Sequence, residues 1–385
     1  MNNVVMFTRS LPMHGLGGME VVAWDIAKGL RDEGCNIKVI TTCTEELSGH
    51  HLIEGIDVYF IENIKIGKYS AKWWRESKRI FDQQFSHHCD TVFSVSSGAY
   101  GIINHRSEYP DTQFLIQVHG TAWGEFISKI KTRTLRGFLT SPKNLMWLCR
   151  DLLTYNKFDY IVGIGQQICA DFKKWPYFSA IKSEKIKLIS NGIDINLFKD
   201  SRKNTDEIKN KYQIPANKKV ILTACRLHPQ KGVYNCIQAL NLLENKKDII
   251  YLIAGDGSDE ARLKALVNSF GAQDYIKFVG AKSRDELAEI ASVSDIFLFL
   301  TDRIEGLPLN ILEAAAVGLP IVLAEQVKIF SSDNIHLINP RDYATAAGKI
   351  AFLLSGTQRE KVSYIPTEYT LNFAANKYKR LLTSE

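Results

Sequence analysis

The apolar and polar positions of this chain alternate in a regular way. The run VVMFT (4–8) is short and β-rich, and a glycine-containing loop follows. MEVVAWDIAKGLRDEG (19–34) then spaces its apolar residues three and four apart, and IKVITT (37–42) is again β-rich. The first and last predict strands and the middle an amphipathic helix, which together make a β-α-β unit. The pattern returns after residue 217. KVILTAC, IIYLIAG, IKFVG, DIFLFL and PIVLA read as strands, and 233–243, 260–270, 285–292 and 309–317 read as the intervening helices. Strands that are apolar without alternation are buried on both faces, so the sheet they form is parallel and covered by helices.

The polar stretch 199–217 separates the two alternating halves. The predicted architecture is α/β, with two doubly wound Rossmann-like domains facing across a cleft. Residues 1–198 form the first domain and 199–365 the second. The segment 366–385 is a C-terminal helix returning to the first domain. In such domains ligands lie at the carboxyl ends of the strands.

Composition changes this picture little. The chain has 385 residues, 45% hydrophobic and 23% charged, as in soluble globular proteins. No apolar run has the length of a membrane span. The opening MNNVVMFTRSL lacks the basic flank and long apolar stretch of a secretory leader. Seven cysteines with no CxxC spacing suggest reduced thiols in a cytosolic protein, with neither a disulfide frame nor a zinc site.

The chemistry sits in loops at predicted strand ends. MHGLGGME (13–20) offers Gly15, Gly17 and Gly18, which permit a tight turn and a close backbone approach to a ligand at a helix N-terminus. A plain strand-to-helix connection explains the same glycines. CRLHPQKG (225–232) places Arg226 and Lys231 where a diphosphate would meet one forked and one point-like cation. Solvated surface cations are the bland alternative. In AGDGSDE (254–260), Gly255 and Gly257 could be turn-makers alone.

The stretch IEGLPLNILEAAAVGLPIV (304–322) carries two carboxylates, Glu305 in a loop and Glu313 inside an apolar helix. Backbone N–H groups of Gly306 and Leu307 would form an anion site between them. A carboxylate accepts hydrogen bonds from adjacent hydroxyls, so each suits a sugar ring or a ribose. Glu313 among Ile311, Leu312 and three alanines would be costly if it had no partner.

These segments together resemble a retaining nucleotide-sugar glycosyltransferase of family 4, whose B-type fold has two Rossmann-like domains. The matching pieces are GLGGME, QVHG (117–120), ISNGID (189–194), RLHPQKG, IAGDGSDEARL and EGLPLNILEAAAVGLPIV. The last matches the family's glutamate, seven residues, glutamate motif. The resemblance implies roles. Glu305 and His119 would contact the donor sugar, Glu313 the ribose, and Arg226 and Lys231 the diphosphate. Gly17, Gly18, Gly255, Gly306 and Leu307 would bring backbone to the donor. It also implies retention of configuration without metal or other cofactor. The partners it implies are a nucleotide-sugar donor and a glycan or lipid-linked acceptor, as in cell-surface polysaccharide or lipopolysaccharide synthesis.

Two features depart from the family. After PIVLA the chain reads EQVKIFSSDNIHLINP, without the usual Gly-Gly pair and further glutamate. Gly165-Gln166 stands where Ser-Glu is frequent. A non-catalytic nucleotide- or glycan-binding relative therefore stays open as an alternative, and a nucleotide-sugar epimerase of the same fold is a third.

Charge is uneven in the first half. Residues 65–79 carry six cations and one acid, and 127–150 six cations and no acid, with Trp73, Trp74 and Trp147 among them. Such stretches suit peripheral contact with an anionic membrane on the cytoplasmic side, or a phosphate-bearing acceptor. Solvated helix faces explain them equally. No nucleic-acid motif accompanies them.

Overall fold

The computed structural model describes residues 2–15, 17–131, 135–200, 204–303, 305, 307–356 and 360–383, with the backbone alone at 128–131, 135–143 and 199–200. The chain divides into two units, Met1–Gly192 with Leu371–Glu385, and Ile193–Thr370. The division falls ahead of the expected 198/199 boundary. The reason is packing: Ile193 and Phe198 are fully buried in the apolar core of the second unit. The polar stretch that suggested a linker instead includes the helix Thr205–Lys211, whose Ile208 enters the same core.

Among the described residues the first unit holds eight strands: β1 (Asn3–Phe7), β2 (Asn36–Thr42), β3 (Gly49–Ile53), β4 (Ile56–Ile61), β5 (Thr91–Val95), β6 (Gln113–Val118), β7 (Tyr160–Gly163) and β8 (Ile186–Leu188). Their order is β3-β4-β2-β1-β5-β6-β7-β8, parallel except for β3 against β4. The exception is a hairpin. Glu54 and Gly55 both take positive φ (47° and 75°), the two-residue turn that suits strand twist.

The second unit holds β9 (Lys219–Ala224), β10 (Ile249–Ala254), β11 (Ile276–Gly280), β12 (Ile296–Phe299), β13 (Ile321–Ala324) and β14 (Ile335–Ile338). The order is β11-β10-β9-β12-β13-β14, all parallel. Alternate residues serve two cores. Val220, Leu222, Ile250 and Leu252 pack on one face, and Ile221, Ile249, Tyr251 and Ile253 on the other. Burial on both faces is why these strands read as unbroken apolar runs. The sheet order reverses between β9 and β12, so the loops leaving these two strands flank the switch point where doubly wound sheets bind ligands.

The helix Leu371–Thr383 belongs to the first unit and packs on the helix Gly18–Asp32. A Cβ at Gly29 would lie 2.7 Å from that of Ala375, so glycine permits the close approach. Tyr378 is buried against Phe93, with ring centroids 5.3 Å apart.

The placement of Trp73 differs from the membrane-contact reading of the basic stretch in which it lies. It is wholly buried, and its indole N–H donates to the Gly98 carbonyl at 2.9 Å. It lies on the inward face of the helix Ala71–Gln84, a position that charge counting along the chain does not register. Among the described residues no helix is long and apolar enough to cross a membrane. All seven cysteines are free thiols.

Candidate functional site

In the second unit, β9 ends at Ala224 and the chain enters the loop containing Arg226 and Lys231. Pro229–Lys231 forms a single turn, and Gly232 then adopts a left-handed φ of 71° before the helix Val233–Asn241. A Cβ at Gly232 would lie 1.9 Å from the carbonyl oxygen of Leu300, so this glycine lets the β9 loop lie against the end of β12. The result is a contact across the switch point. Lys231 Nζ lies 2.8 Å from Glu305 Oε1, with side chains only 19% and 10% exposed. Thr301, just beyond β12, donates to the Gln230 carbonyl at 2.9 Å, and Lys231 also lies 5.8 Å from the centre of the Phe299 ring. Arg226, on the same loop as Lys231, is exposed.

Sequence spacing separates Lys231 and Glu305 by the whole middle of the unit; topology brings them together. Gln326, from the segment that departs from the family pattern, donates its side-chain N–H to the Thr301 carbonyl. That segment therefore supports the loop carrying Glu305.

The third loop, at Gly255 and Gly257, is stitched to the first. Leu227 N–H donates to the Asp256 carbonyl at 2.6 Å, and Asp259 N–H to the Leu227 carbonyl at 3.0 Å. Gly255 has φ 139°, and its missing Cβ would fall 1.9 Å from the Cys225 carbonyl oxygen. Gly257 is alike, at 148° and 2.3 Å from the Leu227 carbonyl oxygen. Close contact between the two loops is sufficient reason for both glycines.

Glu313 lies in the helix Leu309–Val317 with a side chain 13% exposed. Its Oε1 is 3.5 Å from Nε of Arg284, the first residue of the helix Arg284–Val293. The carboxylate that looked costly in an apolar helix thus has a cationic partner. Asn310, one turn earlier, donates to the Ala224 carbonyl at 2.8 Å and ties this helix to the end of β9. Its Oδ1 is buried without a hydrogen-bond partner among the described residues, and it lines a small void with Glu313. Neither Arg284 nor Asn310 emerged from the sequence, because each acquires a role only through its neighbour. Leu307 is half-buried ahead of this helix, whose N-cap is Pro308. Gly306 lies outside the described residues.

The remaining candidates belong to the first unit. Gly17 caps the helix Gly18–Asp32, but the expected anion position carries the protein's own carboxylate. Glu20 folds back so that Oε2 would lie 2.2 Å from a Cβ on Gly17, and Ser10 donates to its Oε1 at 2.8 Å. The carboxylate complements the partial positive charge of the helix start.

His119 follows β6 and is half-buried. Its Nε2 lies 3.0 Å from Oε1 of Gln117, whose amide N–H donates to the Tyr378 hydroxyl at 2.8 Å. The C-terminal helix therefore orients His119 through Gln117. That chain of bonds makes Nε2 the protonated nitrogen and leaves Nδ1 an acceptor. Burial, then the charge of Arg9, push the imidazole down to about 3. Arg9 is a further cation that sequence reading missed. It sits just past β1, its guanidinium 5.6 Å from the centre of the Tyr69 ring, with Nε buried and without a hydrogen-bond partner among the described residues.

This gives the first testable expectation. His119 should remain neutral in the folded protein from pH 8 to below pH 4, as followed by imidazole NMR shifts. An unfolded histidine takes up its proton near pH 6.5. The unfolded state therefore binds more protons between about 6.5 and 3, and stability falls as pH drops through that window. His119→Gln should reduce the fall in melting temperature between pH 6 and pH 4.

Among the described residues no group of three or more His, Cys, Asp or Glu side chains could hold a metal ion.

Comparison with known proteins agrees with this architecture. Residues 16–197 match the family described as Glycosyltransferase Family 4, and residues 204–365 match Glycosyl transferases group 1. The amylovoran biosynthesis glycosyltransferase AmsK of Erwinia amylovora is 37% identical over 111 residues, a stretch that spans 27% of either chain. An uncharacterized glycosyltransferase of Methanocaldococcus jannaschii is 23% identical over 337 residues, 83% of this chain and 80% of its own. Among solved structures, HepE of Anabaena in complex with UDP and glucose superposes with a TM-score of 0.74 at 18% identity, covering 100% of both chains. WaaG, a glycosyltransferase involved in lipopolysaccharide biosynthesis, gives 0.68 at 14%, covering 99% of this chain and 95% of its own. With one family description matching each unit, the chain belongs to the family 4 glycosyltransferases of the B-type fold.

Proposed function

We propose that this enzyme transfers a sugar from a nucleotide-sugar donor to a glycan or lipid-linked acceptor, with retention of configuration and without a metal. The observation that carries the reading is the Lys231–Glu305 contact of 2.8 Å beside the sheet's switch point. It joins a cation suited to a diphosphate and a carboxylate suited to sugar hydroxyls in one small region, with exposed Arg226 on the same loop.

The chemistry is electrostatic. As the bond from the anomeric carbon to the diphosphate loosens, negative charge grows on the leaving phosphate. Fixed cations stabilise that charge more than the ground state and so lower the barrier. Arg226 and Lys231 supply the positive charge that a metal supplies elsewhere. Glu305 orients the sugar, and Glu313 with the acceptor oxygen of Asn310 holds the ribose. The acceptor hydroxyl attacks from the face the phosphate leaves, and the phosphate takes its proton. A relative named for amylovoran biosynthesis and a structural neighbour involved in lipopolysaccharide biosynthesis support a cell-surface glycan as the product.

The test is a thermal-shift screen of nucleoside diphosphates, followed by slow hydrolysis of the matching nucleotide sugars without acceptor. Binding to the native state raises apparent stability, so one base should stand out. If no nucleotide raises the melting temperature and no nucleotide sugar is hydrolysed, the reading is wrong; a nucleotide that binds while its sugar is not hydrolysed favours the non-catalytic relative.

The Arg284–Glu313 pair adds a second expectation. Glu313→Ala should weaken nucleoside-diphosphate binding roughly tenfold or more through the lost ribose bonds. It should also destabilise the second unit by about 1–3 kcal/mol, because Arg284, 17% exposed, loses its carboxylate. Glu313→Gln should lose affinity with less loss of stability. Calorimetric titration and thermal melts separate the two effects.

A further inference from the structure

The first unit carries a groove of about 520 Å³ lined by the helices Ala71–Gln84 and Tyr100–Ile103 and by Arg150 of the helix Leu135–Tyr155. It shares no residue with the candidate donor site. The guanidinium carbon of Arg150 lies over the Trp74 ring, 3.9 Å from its centroid, and 5.8 Å from the centroids of both Tyr100 and Trp147.

The rings beneath Arg150 are held by several contacts. The Trp74 indole N–H donates to the Ser97 carbonyl at 2.8 Å. Its ring lies within 19° of parallel to Tyr100, centroids 6.2 Å apart, and Trp147 meets it edge-on at 6.4 Å. Tyr100 is fixed in turn by a bond to Asp151 at 2.8 Å. Gly101 allows the helices to meet, since a Cβ there would lie 2.4 Å from the Trp74 carbonyl oxygen.

The other cations of the groove are paired. Lys78 contacts Asp82 and Glu108, each at 2.8 Å, and Arg75 and Arg79 share Glu76 at 3.2 and 3.0 Å. Arg150 has no carboxylate within ion-pair distance among the described residues. Its sequence neighbour Asp151 is buried, bonded to Tyr100 and pushed up to about 7, chiefly by that burial. A stacked, pre-oriented guanidinium without an acid suits the two-oxygen edge of a carboxylate or phosphate.

We propose that this groove binds a sugar bearing an oxyanion, a carboxylate or a phosphate, with Arg150 as the fork that recognises the anion. The volume falls in the range of small-molecule sites, roughly 300–1,000 Å³. Arg75 and the Asn104 side chain line the same groove and supply polar edges for the sugar hydroxyls. The choice of a sugar rests on the proposed transfer to a glycan, whereas the need for an anion rests on Arg150.

The full chain is titrated calorimetrically with glucuronate, glucose 6-phosphate, glucose and inorganic phosphate, and sedimented with phosphatidylglycerol vesicles. At least one charged sugar should bind, and more tightly than glucose or inorganic phosphate. The tighter of the two names the anion. Arg150→Gln should weaken it roughly tenfold to a hundredfold. Arg150→Lys, which keeps charge and loses the fork, should fall between, and Arg75→Gln should lose less. Binding of the nucleoside diphosphate should be unchanged in all three, which separates failure here from failure of the donor reading and shows that the variants are folded. The proposal is overturned if neither charged sugar binds, if binding survives Arg150→Gln, if glucose or inorganic phosphate binds as well, or if Arg150 matters only for the vesicles.

Discussion

Glu305→Gln should lower turnover by roughly two orders of magnitude or more, while nucleoside-diphosphate affinity changes little. The side chain keeps its shape and its place beside Thr301, so the loop should stay folded. What is lost is the charge that accepts hydrogen bonds from the donor sugar and holds Lys231 at 2.8 Å. Lys231→Ala should act differently. It removes a charge-assisted contact of about 1.5–3 kcal/mol with the diphosphate, so affinity for the nucleoside diphosphate should drop as well as turnover. The nucleoside without phosphates should bind Lys231→Ala and wild type equally. Arg226→Ala should resemble Lys231→Ala in affinity but leave stability untouched, because Arg226 is exposed. Steady-state kinetics with calorimetry on the three variants decides the matter. Unchanged turnover in Glu305→Gln would make the Lys231–Glu305 contact purely structural.

Gly255→Ala should be among the most destabilising single-methyl additions in the second unit. At φ 139° an L-residue is strained, and the new Cβ would lie 1.9 Å from the Cys225 carbonyl oxygen. Backbone strain and overpacking cost about 1–3 kcal/mol each, so the loss should be about 2–6 kcal/mol, a large share of a domain's typical stability. The obstacle is backbone, which cannot swing aside as a side chain can. Gly348 provides the contrast. It lies within the helix Tyr343–Ser355, and nothing stands within 4 Å of its would-be Cβ. Gly348→Ala should therefore stabilise, by up to about 1 kcal/mol. Chemical denaturation of the two variants gives opposite signs if this account holds. Equal, small effects would mean that the loops at Cys225 and Gly255 separate at little cost.

Much of the second unit is legible in the sequence. IIYLIAG holds the strand Ile249–Ala254 and the helix Leu309–Val317 begins and ends as its pattern predicts, because strands buried on both faces are unbroken apolar runs and glycine marks a helix end. The edge strands are less legible. β14 is half-exposed and only four residues long, so its run is too brief to separate from a loop. The hairpin of β3 and β4 needs positive φ at Glu54, which a glutamate does not advertise. Trp73 shows the same limit in reverse. A tryptophan in a basic stretch reads as interfacial, and only the phase of its helix against the sheet reveals it as core.

By itself, then, the sequence determined the strand-and-helix alternation, the parallel sheets, and the loops in which Arg226, Lys231, Glu305 and Glu313 lie. Those properties follow from local periodicity and from short-range turn chemistry, which any stretch of chain carries within it. The tertiary structure alone decided what each of those side chains touches. It set Lys231 against Glu305, gave Glu313 the partner Arg284, folded Glu20 over Gly17 and placed Arg150 over the Trp74 ring. These are contacts between residues far apart along the chain or on different turns. Their existence depends on strand order and helix phase, and hydrophobic patterning fixes neither until the elements pack.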